Sequence, residues 1–477
     1  MTPTSISSDE AAVSKSELRT VVAASIIGTT VEWYDFFLFG IAAGIVFNKL
    51  FFPSDDPLIG TLLAFATFAV GFAARPIGGL IFGHIGDRVG RKKTLVATML
   101  IMGAATASMG LLPTYGSVGT TAPILLILLR IAQGVAIGGE WGGAVLMAVE
   151  YAPSGRRGLY GSLPQVGLAL GLLLGTGVFA GLSAVMTDAA FLAWGWRVAF
   201  LFSIALVAVG LFIRLKVMET PAFRKLEQNE ATSVVPVKEL FQKRALRRNI
   251  FLGMGSRWAE GVAFNTWAVF SIAYGAGTLG LDKQTMLLSV MAAAATMIFF
   301  IPFFGRLADR FDRRRLYTTG VMLLALLTYP AFLLIGTGNP IVIGATLVVV
   351  LGVVYPCLYG PQSSFYAGLF PTQVRYTGIS FVYQVSGVFA SGLTPLILAY
   401  LLRLADNGFG LILTYVVAVS VISAVCSSSI RRQDMAGDLD VDAATPGWTD
   451  PAVSRPHVRF PATEASFRVL ERRHLHL

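Results

Sequence analysis

GHIGDRVGRKK, Gly83 to Lys93, and GRLADRFDRRR, Gly305 to Arg315, are two versions of one string, starting 222 residues apart at positions 83 and 305. Each follows a long apolar run and combines a glycine, an aspartate and a basic cluster. Recurrence at that spacing points to a duplicated membrane protein whose halves share one short polar device on the cytoplasmic side.

Working outward from these strings, apolar segments of the roughly 20 residues needed to cross a bilayer fall near 20–48, 58–83, 94–113, 122–150, 159–184, 194–215, 250–279, 285–305, 316–337, 340–368, 376–403 and 409–429. The expected fold class is an all-α polytopic membrane protein: twelve transmembrane helices in two six-helix pseudo-repeat bundles. Composition agrees, since 55% of residues are apolar, 13% are charged and mean hydropathy is +0.69, too apolar for a soluble chain of this length.

The net charge of +10 raises the question of a nucleic-acid partner. With both termini in the cytoplasm, Lys49, Arg197, Lys283 and Arg403 are the outer Lys and Arg residues, while Arg75, Arg130 and Arg257 lie within spans. The rest of the 37 face inward. That is the positive-inside pattern, so the charge reports orientation in the inner membrane and no nucleic-acid partner is expected. Cys357 and Cys426 both lie in apolar spans, which excludes a disulfide framework or a metal site; no cofactor is expected.

Residues 1–19 form a polar cytoplasmic arm, and the apolar stretch after them is too long for a signal peptide and lacks a small-residue cleavage site. The expected domains are 20–215 and 250–430, joined by a basic cytoplasmic linker at 216–249 and followed by a disordered cytoplasmic tail at 431–477. Gly167, Gly171 and Gly175, and Gly134, Gly138 and Gly142, recur every four residues. Such stripes let neighbouring backbones approach closely in a membrane.

GHIGDRVGRKK together with RIAQG, Arg130 to Gly134, resembles the major facilitator superfamily over residues 20–430. GTTVEWYDFFLFG at Gly28, ARPIGG at Ala74, GGEWGGA at Gly138, ETPAF at Glu219 and VRYTGISFVYQ at Val374 are similar to its metabolite:proton symporter family. Helix 5 reads GLALGLLLGTG, without the glycine-proline signature of drug antiporters, and ETPAF replaces the PESPR-type string of sugar porters. The resemblance implies the major facilitator fold and alternating access, with a site between the halves. It also implies a cytoplasmic gate built from Gly83, Asp87, Arg88, Gly90 and Arg91 in the loop between helices 2 and 3, with Glu150, Arg156 and Arg375 as partners. Asp309, Arg310 and Arg313 would be the pseudo-symmetric set, weakened where Asp312 stands for Gly90.

Each charge in mid-span costs roughly 2.5–3.5 kcal/mol on insertion scales and marks a functional candidate. Glu32 and Asp35 lie three apart in helix 1, Asp35 among Trp33, Tyr34, Phe36 and Phe37. A carboxylate stripped of water there is a candidate to load and release a proton. Arg130 stands at a depth where it would pair with Asp35, and relatives use such a pair in proton coupling; the structural alternative is a permanent ion pair. Glu140, seven residues from Gln133 and so on nearly the same helix face, is a second candidate proton carrier or else a hydrogen-bonding group of the cavity.

Arg257 and Glu260, three apart in helix 7, suit a carboxylate bound by guanidinium, or else neutralise each other. Tyr34, Gln133, Gln165, Tyr383 and Gln384 complete the expected substrate site. Arg75, near the end of helix 2, is expected to snorkel.

The expected activity is import of a small organic acid or zwitterionic metabolite with protons, by a monomer whose other partner is the lipid bilayer. A proton-independent facilitator is the alternative within transport, and a transporter-like membrane sensor the alternative outside it. An enzyme is not expected: the four histidines, His84, His457, His474 and His476, fall in a loop and the tail.

Overall fold

The computed structural model describes residues 15–89, 91–138, 148–149, 152–153, 155–216, 241–371, 374–431 and 435, without the side chains of 15–21, 83–93, 95, 214–216 and 376. Among these residues the chain forms helices and no strands. Twelve segments cross the molecule: α1 (15–50), α2 (Pro57–Val89), α3 (Arg91–Gly110), α4 (Thr121–Ile137), α5 (Arg157–Val185), α6 (188–216), α7 (244–277), α8 (Lys283–Leu307), α9 (Arg313–Ile335), α10 (Pro340–Ala367), α11 (375–404) and α12 (Gly410–Ser429).

Nine of the described helices are long and apolar enough to span a bilayer, and α3 and α4 contain shorter apolar stretches, Val96–Gly110 and Thr121–Ile137. The remaining segment, α7, carries Arg257, Glu260 and Asn265 along its buried length. Carrying those groups inside a bundle is tolerable only where other protein groups replace water.

Position in the bundle follows from what each helix buries. α1 is buried on nearly all sides, whereas much of α6 faces outward. α1 packs along α5 because Gly167 and Gly171 present bare backbone to Thr29 and Trp33; a Cβ at Gly171 would stand 2.7 Å from the Trp33 Cβ. α2 and α4 approach still more closely, since a Cβ on Gly78 would overlap the Val135 carbonyl and one on Gly138 the Arg75 carbonyl. Lipid gives apolar side chains no reason to leave it, so small-residue contacts of this kind hold the bundle together. The expected stripe continues less tightly, because a Cβ at Gly175 would meet nothing nearer than 3.7 Å.

One detail differs from expectation and a second adds to it. The first polar string is helical rather than a loop: α2 runs to Val89 and α3 starts at Arg91, leaving only position 90, outside the described residues, between them. In the second copy, Asp312 caps α9 by accepting from the Arg315 amide at 3.0 Å. The aspartate that breaks the repeat therefore starts a helix.

Five helices contain a π turn, among them Asn265–Phe270 in α7 and Val388–Gly392 in α11. Such insertions often occur at functional positions, and these two turns supply Asn265 and Ser391 to the central cavity.

Candidate functional site

The cavity lies between the first six and last six helices. Trp33 and Phe36 of α1, Phe72 of α2 and Leu168 of α5 face Arg257, Glu260, Phe264 and Asn265 of α7 and Ser391 of α11. Its volume is about 10 Å³, room for about one water. Glu-x-x-x-Phe occurs on α1 as Glu32 and Phe36 and on α7 as Glu260 and Phe264, so the duplicated chain brings one version from each half.

Arg257 is fully buried and held at three points. Its guanidinium carbon lies 3.7 Å from the centre of the Tyr383 ring, Nη1 donates to Ser386 Oγ at 3.1 Å, and Nη2 stands 3.4 Å from Glu260 Oε2. Tyr355 OH donates to Glu260 Oε1 at 2.6 Å, while Oε2 has no hydrogen-bond partner among the described residues. Arg75 does not snorkel. It is 5% exposed and its guanidinium stacks on Phe72 at 4.2 Å and Phe36 at 4.8 Å, both cavity residues. Glu32, Arg257 and Tyr383 act on it electrostatically, so two arginines and two glutamates from opposite halves meet around an aromatic pocket.

Behind this wall a second polar group lies inside the first half. Thr106 Oγ1 donates to Asp35 Oδ2 at 2.9 Å, Gln133 Nε2 donates to Thr106 Oγ1 at 2.8 Å, and Arg130 Nη1 donates to Gln133 Oε1. Asp35 and Arg130 are thus joined through Thr106 and Gln133 rather than by the expected direct ion pair. Arg130 also sits over Phe39 at 4.2 Å and Phe68 at 5.0 Å. Gly71 makes room for it, since any Cβ there would overlap its Nε.

Several expected site residues do other work. Tyr34 points away from the cavity and donates to the Ala199 carbonyl on α6 at 2.7 Å; its neighbour Trp33 faces the pocket instead. Gln133 belongs to the Asp35 group. Gln165 donates from α5 to the Tyr359 carbonyl on α10 at 2.7 Å, and Gln384 donates from α11 to the Gly138 carbonyl on α4 at 3.0 Å. These are matching ties across the halves, one from each repeat, rather than wall groups of the cavity.

At the end where α4 meets α5, Asp309 accepts from the amides of Gly158 and Leu159, the latter at 2.9 Å. Burial there pushes its carboxyl up from the ordinary value, against the two amides and the nearby Arg313 and Arg156, which pull it down. Arg375 Nε donates to the Ala367 and Phe370 carbonyls at 3.0 and 3.1 Å, closing the end of α10 rather than reaching across the halves through that atom. Arg156 and Arg310 are exposed and Arg313 is half-buried. Gly90, Glu140 and Glu150 lie outside the described residues, as do the side chains of Asp87, Arg88 and Arg91 and the surroundings of Gly83. At the opposite end, Lys283 meets Asp188 at 2.9 Å and Arg403 meets Asp56 at 2.6 Å, again between halves.

A multi-pass helical bundle with a charged aromatic pocket between two repeats, tied at both ends, is the class this arrangement defines. The chain belongs to the Major Facilitator Superfamily, whose family model matches residues 25–395. It is 41% identical over 423 residues to the inner membrane metabolite transport protein YhjE of Escherichia coli (strain K12), covering 87% of this chain and 95% of that one. It is 39% identical to the shikimate transporter of the same organism, covering 90% and 98%, and 34% identical to its proline/betaine transporter, covering 93% and 88%. A crystal structure of a D-xylose-proton symporter superposes with a TM-score of 0.68 at 18% identity, over 87% of this chain and 98% of that one, a likeness of fold.

Proposed function

We propose that this protein is a proton-coupled symporter that imports a small organic acid or zwitterionic metabolite across the inner membrane by alternating access, working as a monomer with both termini in the cytoplasm. The observation that carries the reading is the meeting of Arg75 and Arg257, one from each half, over Phe36, Phe72 and Tyr383 at the central cavity. Guanidinium groups bind carboxylates bidentately and stack on rings, while Glu32 and Glu260 suit the ammonium of a zwitterion. The names of the relatives, shikimate and proline/betaine transporters, support that substrate class.

Residues 20–215 and 250–430 act as the two moving bodies, a repeat arrangement in which rocking about a central site exposes it to each side in turn. The Gln165, Gln384 and Asp309 ties form the cytoplasmic gate, and the Asp188–Lys283 and Asp56–Arg403 pairs the outer one. With ties at both ends and space for about one water, the cavity accepts substrate only after one set releases.

Asp35 is the proton carrier in this reading, with Arg130 its counter-charge. Energy-depleted cells expressing the protein under light buffering, given a panel of carboxylates and betaines, should alkalinise the medium for one compound, and Asp35→Asn should abolish the signal. Uptake of a labelled compound without any pH change would leave a facilitator and end the symport reading.

A further inference from the structure

We propose that Thr106 is the positioning residue through which the protonation state of Asp35 reaches Arg130; this rests on the symport reading above. The argument is hydrogen bookkeeping in a closed space. Asp35, Thr106 and Gln133 are each 0% exposed, so bulk solvent does not compete for their bonds. Guanidinium only donates, hence the Gln133 oxygen faces Arg130 and its NH₂ faces Thr106. The Thr106 oxygen must therefore accept from Gln133, which leaves one lone pair and one hydrogen. Two acceptors stand within reach of that hydrogen: Asp35 Oδ2 at 2.9 Å and the Met102 carbonyl at 3.0 Å.

An ionised Asp35 only accepts, so the Thr106 hydrogen turns to it. Every donor then points the same way, from the Arg130 cation through Gln133 and Thr106 to the Asp35 anion, and bonds so aligned polarise one another. When a proton arrives, Oδ2 is the oxygen with a partner, because Oδ1 has none among the described residues. The new O–H donates to the free lone pair of Thr106, whose own hydrogen swings to Met102. The aligned run from Arg130 now stops at Thr106. A threonine that ordinarily bonds its own helix thus becomes a two-position hydroxyl, and Arg130 stays linked to α1 only through a run whose last bond points the other way, so its donors no longer reinforce one another.

The other groups bearing on Asp35 are few. Arg130 of α4 acts on it directly, Arg75 of α2 acts on that arginine, and Tyr34 adjoins it on α1 with its hydroxyl engaged by α6. None of these supplies a second hydrogen-bond path between Asp35 and Arg130.

The test needs no substrate. Infrared difference spectra of the purified protein across pH contain the carboxylic C=O band of Asp35, identified by its loss in Asp35→Asn. In Thr106→Val, which keeps the shape and removes the hydroxyl, the band should move to the higher frequency of a carboxyl without a hydrogen bond. The pH at which it vanishes should move by about one unit, the effect of one bond to a carboxylate. Thr106→Ser should restore both, and Thr106→Ala gives the same readout as valine if valine is not accepted.

Gln133→Leu should alter the Asp35 titration in the wild type and leave it unaltered in Thr106→Val, the mark of a relay rather than two independent effects. An unchanged band and midpoint in Thr106→Val overturns the relay while leaving symport standing. A wild type in which no Asp35 band titrates overturns both.

Discussion

Arg257 shows how one side chain is prepared for a ligand: its plane is fixed against Tyr383, one nitrogen against Ser386 and another beside Glu260. Lysine keeps the charge and loses both the plane and the fork. Arg257→Lys should therefore raise the uptake KM for a carboxylate about tenfold or more, measured as initial rates in vesicles, with surface expression unchanged. Much of this chemistry was legible in the sequence, because Asp35, Arg130, Arg257 and Glu260 are charges in apolar runs and each such charge needs a reason. Their connections were not. Tyr34 and Trp33 are adjacent, and only packing against α6 decides which of them faces the pocket. Arg75 stands near a helix end in the ARPIGG string, and sequence position alone does not separate a snorkelling arginine from one turned onto Phe36 and Phe72. Thr106 gave no signal, since a threonine in a helix usually bonds its own backbone.

Helices as elements carry a different lesson. The twelve apolar runs mark where α1 to α12 lie, but the π turns in α7 and α11 leave no trace in hydropathy, because they change the backbone without changing the kind of residue. Extension of α2 to Val89 was hidden for a related reason: Gly83 and Gly90 in a polar string suggest a short loop, and the helix runs on past the first of them. The glycine stripe is better tested at the level of contacts. Gly171→Ala places a methyl 2.7 Å from the Trp33 Cβ and should destabilise by about 1–3 kcal/mol. Gly175→Ala meets nothing inside 3.7 Å and should melt like the wild type in a fluorescence thermal-shift assay. Equal effects at the two sites would mean that α1 and α5 do not pack as described.

Across the whole molecule the duplication is the organising fact, read first from two polar strings and found again in paired ties at both ends. Gln165 and Gln384 tie the halves at the end proposed to face the cytoplasm, each with one short bond, Gln165 also reaching the Gly360 carbonyl at 3.5 Å. Removing both as leucines should shift the equilibrium about thirtyfold toward the inward-open form, taking about 1 kcal/mol per bond. Labelling of a cavity cysteine in inside-out vesicles would measure it. Asp309 adds a pH term. Its carboxyl is held above its ordinary value when the end is closed and returns to that value when opening restores water. The closed form therefore binds a proton more tightly, so closure of this end is favoured as the pH on its side, the cytoplasmic one in the proposed orientation, falls through the raised value and weakens as pH rises above it. Asp309→Asn should flatten that dependence in the same labelling assay.

Among the described residues the two ends also differ in material: amide bonds and one carboxylate on amides at the end proposed to face the cytoplasm, partly exposed ion pairs at the other. Ionic strength screens the exposed charges and hardly touches the buried amides. On the proposed orientation the carrier is consequently an electrolyte gauge: salt in the surroundings loosens the ion-paired door that faces them, and its resting orientation should drift outward with the salinity of the medium.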